Sequence, residues 1–460
     1  MTDRGSLSAV SPLDGRYARY TEPLVEYASE AALLRARVRV EVEYLLALAD
    51  LDATPIEIDA SDRDVLRGLY EEFTEADAAR IKRIETEGTA ERAATNHDVK
   101  AVEYFVRDGL PDADATPWVH FGLTSEDVNN LARRLLLKPA VKEVLLPELD
   151  AIRNSFAGMA REYGDTPMLA RTHGQPATPT TFGKEMGVYA GRLERAIGRI
   201  GRAADGLAGK LAGASGTYAA HHAAYPAVDW REFSEEFVHS LGLEHVEPVT
   251  QINPCDDLAA LFDALRGANA VLLDADRDMW RYVSDGYLGQ ESDAGETGSS
   301  TMPHKVNPID FENGEGNLEK ANSDFSFLAE SLTTSRLQRD LSDSTVKRNV
   351  GAALAHSLIG YRKTQTGLSK VVPNEQAMRE ELEDNPEVIG EAVQTILRRE
   401  GHTDAYERVK DLTRGRRTSL TEFHDLFDDL DVSEPVREEL HALTPAGYTG
   451  LASELADSSE

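Results

Sequence analysis

Three long stretches without proline constrain the fold of this chain more than any other feature of its sequence. They span residues 180–225, 255–302 and 309–372. Because proline interrupts the interior of a helix, such stretches are where long helices can form. The chain also contains no run of alternating strand residues and no βαβ pattern, so it is predicted to be mainly helical.

Apolar and small residues recur at alternating intervals of three and four positions in the first two of these stretches. This alternation is the heptad seam of packed helices, and each helix would be about 40 Å long. A narrow apolar stripe is buried only against other helices, so the pattern predicts a bundle. The seam positions are Met186, Ala190, Leu193, Ile197, Ile200, Ala204, Leu207 and Leu211 in the first stretch, and Leu258, Leu261, Leu265, Ala268, Leu272, Ala275, Met279 and Tyr282 in the second.

The sequence also predicts three helical domains. Medium helices are expected in residues 1–113, long helices in residues 114–368, and shorter amphipathic helices in residues 369–460. A Gly-Leu-Pro sequence precedes the first boundary and a Val-Val-Pro-Asn sequence follows the second, and such residues interrupt helices. The expected fold class is therefore all-α, with a central domain built from a bundle of long helices.

The chain is strongly acidic. It has 81 Asp and Glu residues against 49 Lys and Arg residues, which gives a formal net charge of −32. Such a surface repels nucleic-acid phosphates and anionic membranes, so neither is an expected partner. Of the 49 bases only 12 are lysine, and an acidic chain poor in lysine is typical of a halophilic protein, whose charges are screened by salt. An ordinary acidic enzyme is the alternative interpretation.

Cysteine content and the absence of targeting signals indicate a reducing compartment. Cys255 is the only cysteine, so the chain cannot form an internal disulfide. Residues 1–6 lack the apolar segment of a signal peptide, and no uncharged apolar run approaches the roughly 18 residues of a membrane span. The histidines show no spacing typical of a metal site. We therefore expect a cytoplasmic protein without a metal ion or a membrane segment.

Two segments rich in glycine and proline are unsuited to a helix interior. Residues 298–308, GSSTMPHKVNP, combine glycines and hydroxyls with a lysine between two prolines. Loops on a rigid scaffold often carry chemistry, although a linker between long helices is the alternative. Residues 171–179, RTHGQPATP, place His173 just before a long helix. An imidazole there is either a general acid or base or a structural side chain.

Two further segments carry helix-start signals. Thr124 and Asp127 fit the capping box, and Asn96 fits the N-cap of a following helix, which would place His97 in its first turn. Capping alone explains both segments. The free N–H groups of a helix start can also bind an anion, and residues 339–348 add bases and hydroxyls that suit a phosphate or a carboxylate.

Residues 298–308 resemble the signature loop of the fumarase/aspartase superfamily, whose general form is GSSxMPxKxNP. Within that superfamily, other segments resemble the bacterial-type adenylosuccinate lyase family. These segments are residues 11–17, 95–98, 171–179, 309–313 and 339–345. Because the matches run in order over nearly the whole chain, the chain is identified as a member of that family.

The resemblance implies two eliminations in purine nucleotide biosynthesis. Adenylosuccinate would give AMP and fumarate, and the succinylated carboxamide ribotide (SAICAR) would give the carboxamide ribotide (AICAR) and fumarate. The resemblance also implies three helical domains and a homotetramer in which each active site draws residues from three subunits. No metal and no organic cofactor is implied.

The resemblance further implies roles for individual residues. Ser299 would remove a proton from the carbon next to a carboxylate, and His173 would protonate the departing nitrogen. Lys305 and Asn307 would bind substrate and stabilise the dianion that forms between these steps. The remaining substrate contacts implied by the family pattern are Arg16, Tyr17, Asn96, His97, Asp98, Thr124, Ser125, Gln251, Ser300, Asn313, Arg339, Ser344, Thr345 and Arg348.

Several alternatives stay open on the sequence. Residues 87–93 resemble an insertion before His97 that could change its position, and the sequence alone does not separate Ser299 from Ser300 as the base. Argininosuccinate lyase or another fumarate-releasing lyase is the nearest alternative function, although residues 16–17 and 344–348 favour a substrate with a phosphate. A non-catalytic helical scaffold is the remote alternative.

Overall fold

Helices make up most of the chain, as its proline-free stretches predict. The computed structural model describes residues 6–291, 306–414 and 418–457. Its α-helices are α1 Ala18–Thr21, α2 Val25–Ala28, α3 Glu30–Ala49, α4 Ala60–Glu71, α5 Glu75–Thr86, α6 Asp98–Asp108, α7 Ser125–Pro139, α8 Leu146–Glu162, α9 Phe182–Asp205, α10 Ala219–Ala224, α11 Trp230–Ser240, α12 Asp256–Ser284, α13 Ile309–Leu332, α14 Ser342–Lys347, α15 Val350–Lys370, α16 Glu375–Glu383, α17 Gly390–Arg399, α18 Ala405–Thr413, α19 Leu420–Asp428, α20 Glu434–His441 and α21 Ala452–Asp457.

Short strands, which the sequence did not predict, form three two-stranded sheets in the described residues. The longest strand has only seven residues, too few to give a clear alternating signal. The first and third pairs are antiparallel and the second is parallel. The strands are β1 Pro167–Thr172 with β2 Gln175–Thr181, β3 Ala208–Gly209 with β4 Glu244–His245, and β5 Leu288–Gln290 with β6 Val371–Pro373.

The heptad seams locate the long helices correctly, with one error at a helix end. The second seam lies wholly within α12, whose 29 residues correspond to about 44 Å. The first seam lies within α9 only as far as Ala204, because the helix ends at Asp205 and Gly206 follows. Glycine has a low helix propensity. Leu207 and Leu211 are buried as predicted but lie outside the helix.

The chain divides into two compact units, and each has an apolar core of its own. The core of the first unit includes Leu34, Val42 and Phe105, and that of the second includes Phe423 and Phe427. The domain boundaries after residues 113 and 368 stay a prediction. The first unit comprises Met1–Glu148, Ala196–Ala270 and Gly316–Arg362, and the second comprises Leu149–Arg195, Val271–Glu315 and Lys363–Glu460.

Candidate active site

The start of α7 in the first unit is fixed by a buried carboxylate. The N–H of Thr124 donates to Asp127 Oδ2 at 2.8 Å, which confirms the predicted capping box. The same carboxylate accepts from Lys210 Nζ at 2.7 Å and from the N–H of Gly213 at 3.1 Å. The side chains of Asp127 and Lys210 are both 0% exposed. These contacts hold the half-buried Thr124 and Ser125 at a helix start.

His97, and not Asn96, caps the helix that follows. α6 begins at Asp98, and the N–H of Lys100 donates to His97 Nδ1 at 3.2 Å. The predicted N-cap is therefore wrong by one residue, because this ring nitrogen takes the acceptor position of a capping oxygen. With Nδ1 accepting, the neutral imidazole carries its proton on Nε2, which lies 3.5 Å from Ser125 Oγ. His97 and Ser125 are thus brought together.

Residues 87–93 form a closed turn at the end of α5. The N–H of Thr89 donates to the carbonyl of Arg92 at 2.8 Å, and the N–H of Asn96 donates to the carbonyl of Glu85 at 2.9 Å. Asn96 has a φ of 48°, in the left-handed region that asparagine tolerates. The chain thus returns to the last turn of α5 immediately before His97.

Arg37, which the sequence analysis missed, holds Asp98. Its NH2 donates to Asp98 Oδ2 at 2.7 Å and its Nε donates to Asn129 Oδ1 at 2.8 Å. Burial is the largest single influence on the pKa of Asp98 and raises it, but the charge and hydrogen bond of Arg37, together with the N–H of Val99, lower that pKa below its usual value. Asp98 therefore stays ionised beside His97. Arg37 and Asp98 are 61 positions apart, so no local pattern could reveal the pair.

Gln251 and Arg339, both predicted substrate contacts, are also brought together. Arg339 NH1 donates to Gln251 Oε1 at 3.3 Å, and Gln251 Nε2 donates to the carbonyl of Ala214 at 3.0 Å. Arg339 NH2 lies 3.8 Å from Glu126 Oε2, in the first turn of α7. This pair of side chains therefore lies next to the helix start that carries Ser125.

A cavity of about 390 Å³ lies within the first unit beside these residues. The predicted residues Asp98, Ser344 and Arg348 line it, together with Lys347 from the basic segment 339–348 and Arg133, for which the sequence gave no indication. The wall therefore carries more basic side chains than carboxylates, Asp98 being one of the latter, together with the Ser344 hydroxyl. Such a lining suits an anionic group.

Arg133 is the most unusual of the cavity's cations. Its NH1 donates to the carbonyl of Lys347 at 3.3 Å, and no ion pair to Arg133 occurs among the described residues. Burial, together with the nearby Arg37 charge, lowers the pKa of Arg133 to about 10. The guanidinium is still cationic at neutral pH. The sequence did not indicate this buried position, because Arg133 has no motif around it and belongs to a helix.

Arg16, Tyr17 and Thr345 lie apart from this cavity wall. A tight turn precedes Arg16, because the N–H of Gly15 donates to the carbonyl of Pro12 at 3.3 Å. Arg16 and Thr345 are exposed, and Tyr17 is half-buried. Their contribution to substrate binding stays a prediction.

His173 lies in the second unit, at the tip of the β1–β2 hairpin. His173 and Gly174 have φ angles of 53° and 72°, as the tight turn between two antiparallel strands requires. Thr172 and Gln175 are paired directly across the turn. His173 is exposed, so its ring is accessible for proton transfer. The sequence correctly placed it outside the helices but did not predict the hairpin.

Asn307 and Asn313 lie at the start of α13, also in the second unit. The N–H of Ile309 donates to the carbonyl of Asn307 at 2.8 Å, and Asn313 Nδ2 donates to the carbonyl of Ile309 at 2.8 Å. Both asparagines are half-buried. The remaining predicted residues of this segment lie outside the described part of the chain, and they are Ser299, Ser300 and Lys305.

Comparison with known proteins assigns the family. A lyase family model matches residues 15–321, and a model described as adenylosuccinate lyase C-terminal matches residues 335–449. The adenylosuccinate lyase of Escherichia coli K12 is 46% identical over 459 residues, covering 98% of both chains. The chain belongs to the adenylosuccinate lyase family. It is accordingly a carbon–nitrogen lyase, as predicted.

Other relatives and solved structures agree. The adenylosuccinate lyases of Haemophilus influenzae and Dictyostelium discoideum are 45% and 43% identical, and each match covers at least 97% of both chains. A fumarate lyase from Mesorhizobium sp. BNC1 has a TM-score of 0.74 at 19% identity, covering 95% of this chain and 97% of that one. A 3-carboxy-cis,cis-muconate lactonizing enzyme from Pseudomonas putida has a TM-score of 0.73 at 21% identity, covering 96% and 97%. These two structures support the helical fold alone.

None of the described helices is long and apolar enough to cross a membrane. In the described ranges, no three or more Cys, His, Asp or Glu side chains are grouped in a way that could hold a metal ion. That the reaction needs neither a metal nor an organic cofactor stays a prediction.

Proposed function

We propose that the chain eliminates fumarate from adenylosuccinate, giving AMP, and from SAICAR, giving AICAR. One observation carries this assignment: relatives named for the first activity are 43–46% identical to the chain over 97–98% of its length. The cavity beside Asp98, Ser344 and Arg348 supports it, because its cations suit the phosphate that both substrates share.

The proposed reaction is a β-elimination. Ser299 removes a proton from the carbon next to a carboxylate, and the negative charge spreads into that carboxylate. His173 then donates a proton to the departing nitrogen as the carbon–nitrogen bond breaks. A serine hydroxyl acts as a base only when nearby donors or cations stabilise its alkoxide. Lys305 and Asn307 are proposed to stabilise the dianion, in the manner of an oxyanion hole.

The proposed substrates carry a phosphate and carboxylates, whereas the protein has a net charge of −32. Binding therefore needs a local patch of positive charge. We propose that Arg339, Arg348 and Arg133 supply it in the first unit. The last two line the cavity, and Arg339 NH2 lies 3.8 Å from Glu126 Oε2, too far for a hydrogen bond, so it keeps donors for an anion. A patch of this kind favours a phosphate-bearing substrate over argininosuccinate.

We further propose a cytoplasmic homotetramer whose active sites are shared between subunits. The long helices support this assembly, because Val188 on α9 and Trp280 on α12 are 41% and 42% exposed. A Cβ added at Gly201 would meet no atom within 4 Å. Exposed apolar and small positions on long helices are suited to packing against another subunit. The domain limits at residues 113 and 368 belong to the same proposal.

The purified protein is expected to release fumarate from both adenylosuccinate and SAICAR in molar KCl. The measurement is the initial rate of fumarate formation, with AMP and AICAR identified as co-products. Argininosuccinate is the matched control and should release none. Release of fumarate from argininosuccinate alone would show that the protein is an argininosuccinate lyase instead. A folded protein that is inactive on every substrate would favour the non-catalytic scaffold.

Transfer from molar to dilute KCl is expected to dissociate the tetramer and lower the rate. The reason is the net charge of −32, whose self-repulsion is screened within about 3 Å at 1 M salt but only within about 10 Å at 0.1 M. Light scattering gives the mass, and the fumarate assay gives the rate. Dilute buffer with sucrose controls for osmotic effects. A tetramer with full activity in dilute KCl would contradict the halophilic interpretation.

A further inference from the structure

Lys347 lies between two carboxylates next to the candidate site. Its Nζ donates to Glu126 Oε1 and to Asp343 Oδ2, each at 2.7 Å. The side chains of Lys347 and Glu126 are 3% exposed, and that of Asp343 is 7% exposed. Glu126 belongs to the first turn of α7, whereas Asp343 belongs to α14. One buried cation therefore pairs with two acids from distant parts of the chain, while Asp343 Oδ1 accepts no hydrogen bond from the described residues.

Arg339 lies beside the same two acids without a close contact to either. Its NH2 is 3.8 Å from Glu126 Oε2, and its Nε is 4.0 Å from Asp343 Oδ1. Hydrogen bonds between an arginine and a carboxylate are typically about 2.7–2.9 Å long. Within the described part of the chain, the Arg339 side chain donates one hydrogen bond, to the neutral Gln251 Oε1. Its guanidinium therefore keeps donors for another acceptor.

We propose that Lys347 is a positioning residue that occupies the carboxylates of Glu126 and Asp343 and thereby leaves Arg339 free to bind an anionic group of the substrate. This inference rests on the proposed function, which supplies the anion, either the phosphate or a carboxylate. Without Lys347, the two buried acids would lose their hydrogen-bonded cation. A small movement would then let Arg339 pair with them, and its donors would no longer face the substrate.

A purely structural role for Lys347 makes a different prediction. Lys347 joins α14 to α7, so its loss would also remove an anchor. If anchoring were its whole contribution, the triple variant would regain stability by losing the unpaired acids, but α14 would still lack its link to α7 and ligand binding would stay weak. If competition for Arg339 is what matters, removing the acids releases the arginine and restores binding. A triple variant therefore separates the two roles.

The test compares Lys347→Met, Lys347→Arg and the triple variant Glu126→Gln/Asp343→Asn/Lys347→Met with the unaltered protein. Lys320→Met is the matched control, because Lys320 is 53% exposed and its ion pair among the described residues is with Asp324, one turn along α13. Binding of AMP and, separately, of fumarate is measured by titration calorimetry in molar KCl, with a thermal melt for each variant. KM and kcat are measured with adenylosuccinate.

Lys347→Met is expected to weaken binding of one ligand about 10- to 100-fold, the value of one charged hydrogen bond. KM should rise with little change in kcat, as for loss of a contact made equally in the ground and transition states. Weaker AMP binding assigns Arg339 to the phosphate, and weaker fumarate binding assigns it to a carboxylate. Lys347→Arg and the triple variant should each recover most of the affinity.

The inference is overturned if Lys347→Met binds both ligands as tightly as the unaltered protein, or if the unaltered protein binds neither. It is also overturned if the triple variant folds and binds no better than Lys347→Met. Should the triple variant fail to fold, Lys347→Arg decides, because its arginine keeps the positive charge between the two acids. Ligand affinity close to that of the unaltered protein supports the inference, and affinity as low as that of Lys347→Met overturns it. Absence of turnover in the unaltered protein would reject the proposed function, whereas the two titrations would still test Lys347.

Discussion

Replacement of Ser299 by alanine is expected to lower kcat for adenylosuccinate by about 10²- to 10⁴-fold, the usual contribution of a general base. The substrate proton would then have no acceptor, whereas binding of AMP would be retained. Ser300→Ala is the matched control, since the two serines are adjacent and Ser300 is proposed only to bind substrate. Its effect should fall mainly on KM. The measurement is steady-state fumarate release together with AMP titration.

The opposite pattern would move the base to Ser300 and leave the lyase assignment intact. A Ser299→Ala protein with unchanged turnover, and a Ser300→Ala protein with unchanged turnover, would together reject the proposed mechanism. Because neither substitution lies within a described helix, similar circular dichroism spectra are expected for all three proteins. The comparison therefore reports on chemistry and not on folding.

His173→Gln provides an independent check on the other half of the mechanism. His173 is exposed at the tip of the hairpin, so glutamine is accommodated without loss of core packing, while proton donation is lost. We expect a decrease in kcat of the same order. If active sites are shared between subunits, mixed tetramers of His173→Gln and Ser299→Ala should regain activity, because some sites then receive both intact residues. No recovery would contradict the shared site.

The long helices could be predicted from the sequence because their signal is local and repeated. The seam of α12 extends over eight positions, and all of its members are buried except Tyr282, which is half-buried. The end of α9 was missed because the buried residues Leu207 and Leu211 continue the seam spacing although the helix has already ended at Asp205. The hairpin at His173 was missed because strands this short contain too few residues for alternation to be distinct.

The family motifs predicted substrate contacts, but they did not identify the residues that hold those side chains in place. Arg37 with Asp98, and Lys347 with Glu126, join positions 61 and 221 residues apart. Such pairs depend on how helices pack, so no spacing in one sequence reveals them. The position of the cap at His97 was missed for a related reason, because a histidine ring is not a usual capping acceptor.

Asp127→Ala is expected to lower the free energy of unfolding by about 3–5 kcal/mol, the typical cost of breaking a buried ion pair. Lys210 would be left charged with its side chain 0% exposed, and the N–H groups of Thr124, Ala212 and Gly213 would lose their acceptor. Urea denaturation in molar KCl at fixed protein concentration measures the change. Asp205→Ala is the control, because Asp205 is 60% exposed and pairs with Lys142 at the surface. A loss below about 1 kcal/mol is expected there.

The double variant Asp127→Leu/Lys210→Met separates the two costs that Asp127→Ala combines. It removes the unpaired charge and fills the space with apolar atoms, so most of the stability should return, as for other buried pairs replaced by apolar residues. The N–H groups of Thr124, Ala212 and Gly213 still lack their acceptor, however, so the turn that carries Ser125 loses its side-chain cap. AMP affinity should therefore stay low even where stability recovers. Equal losses for Asp127→Ala and Asp205→Ala would mean that the buried pair contributes no more than a surface one.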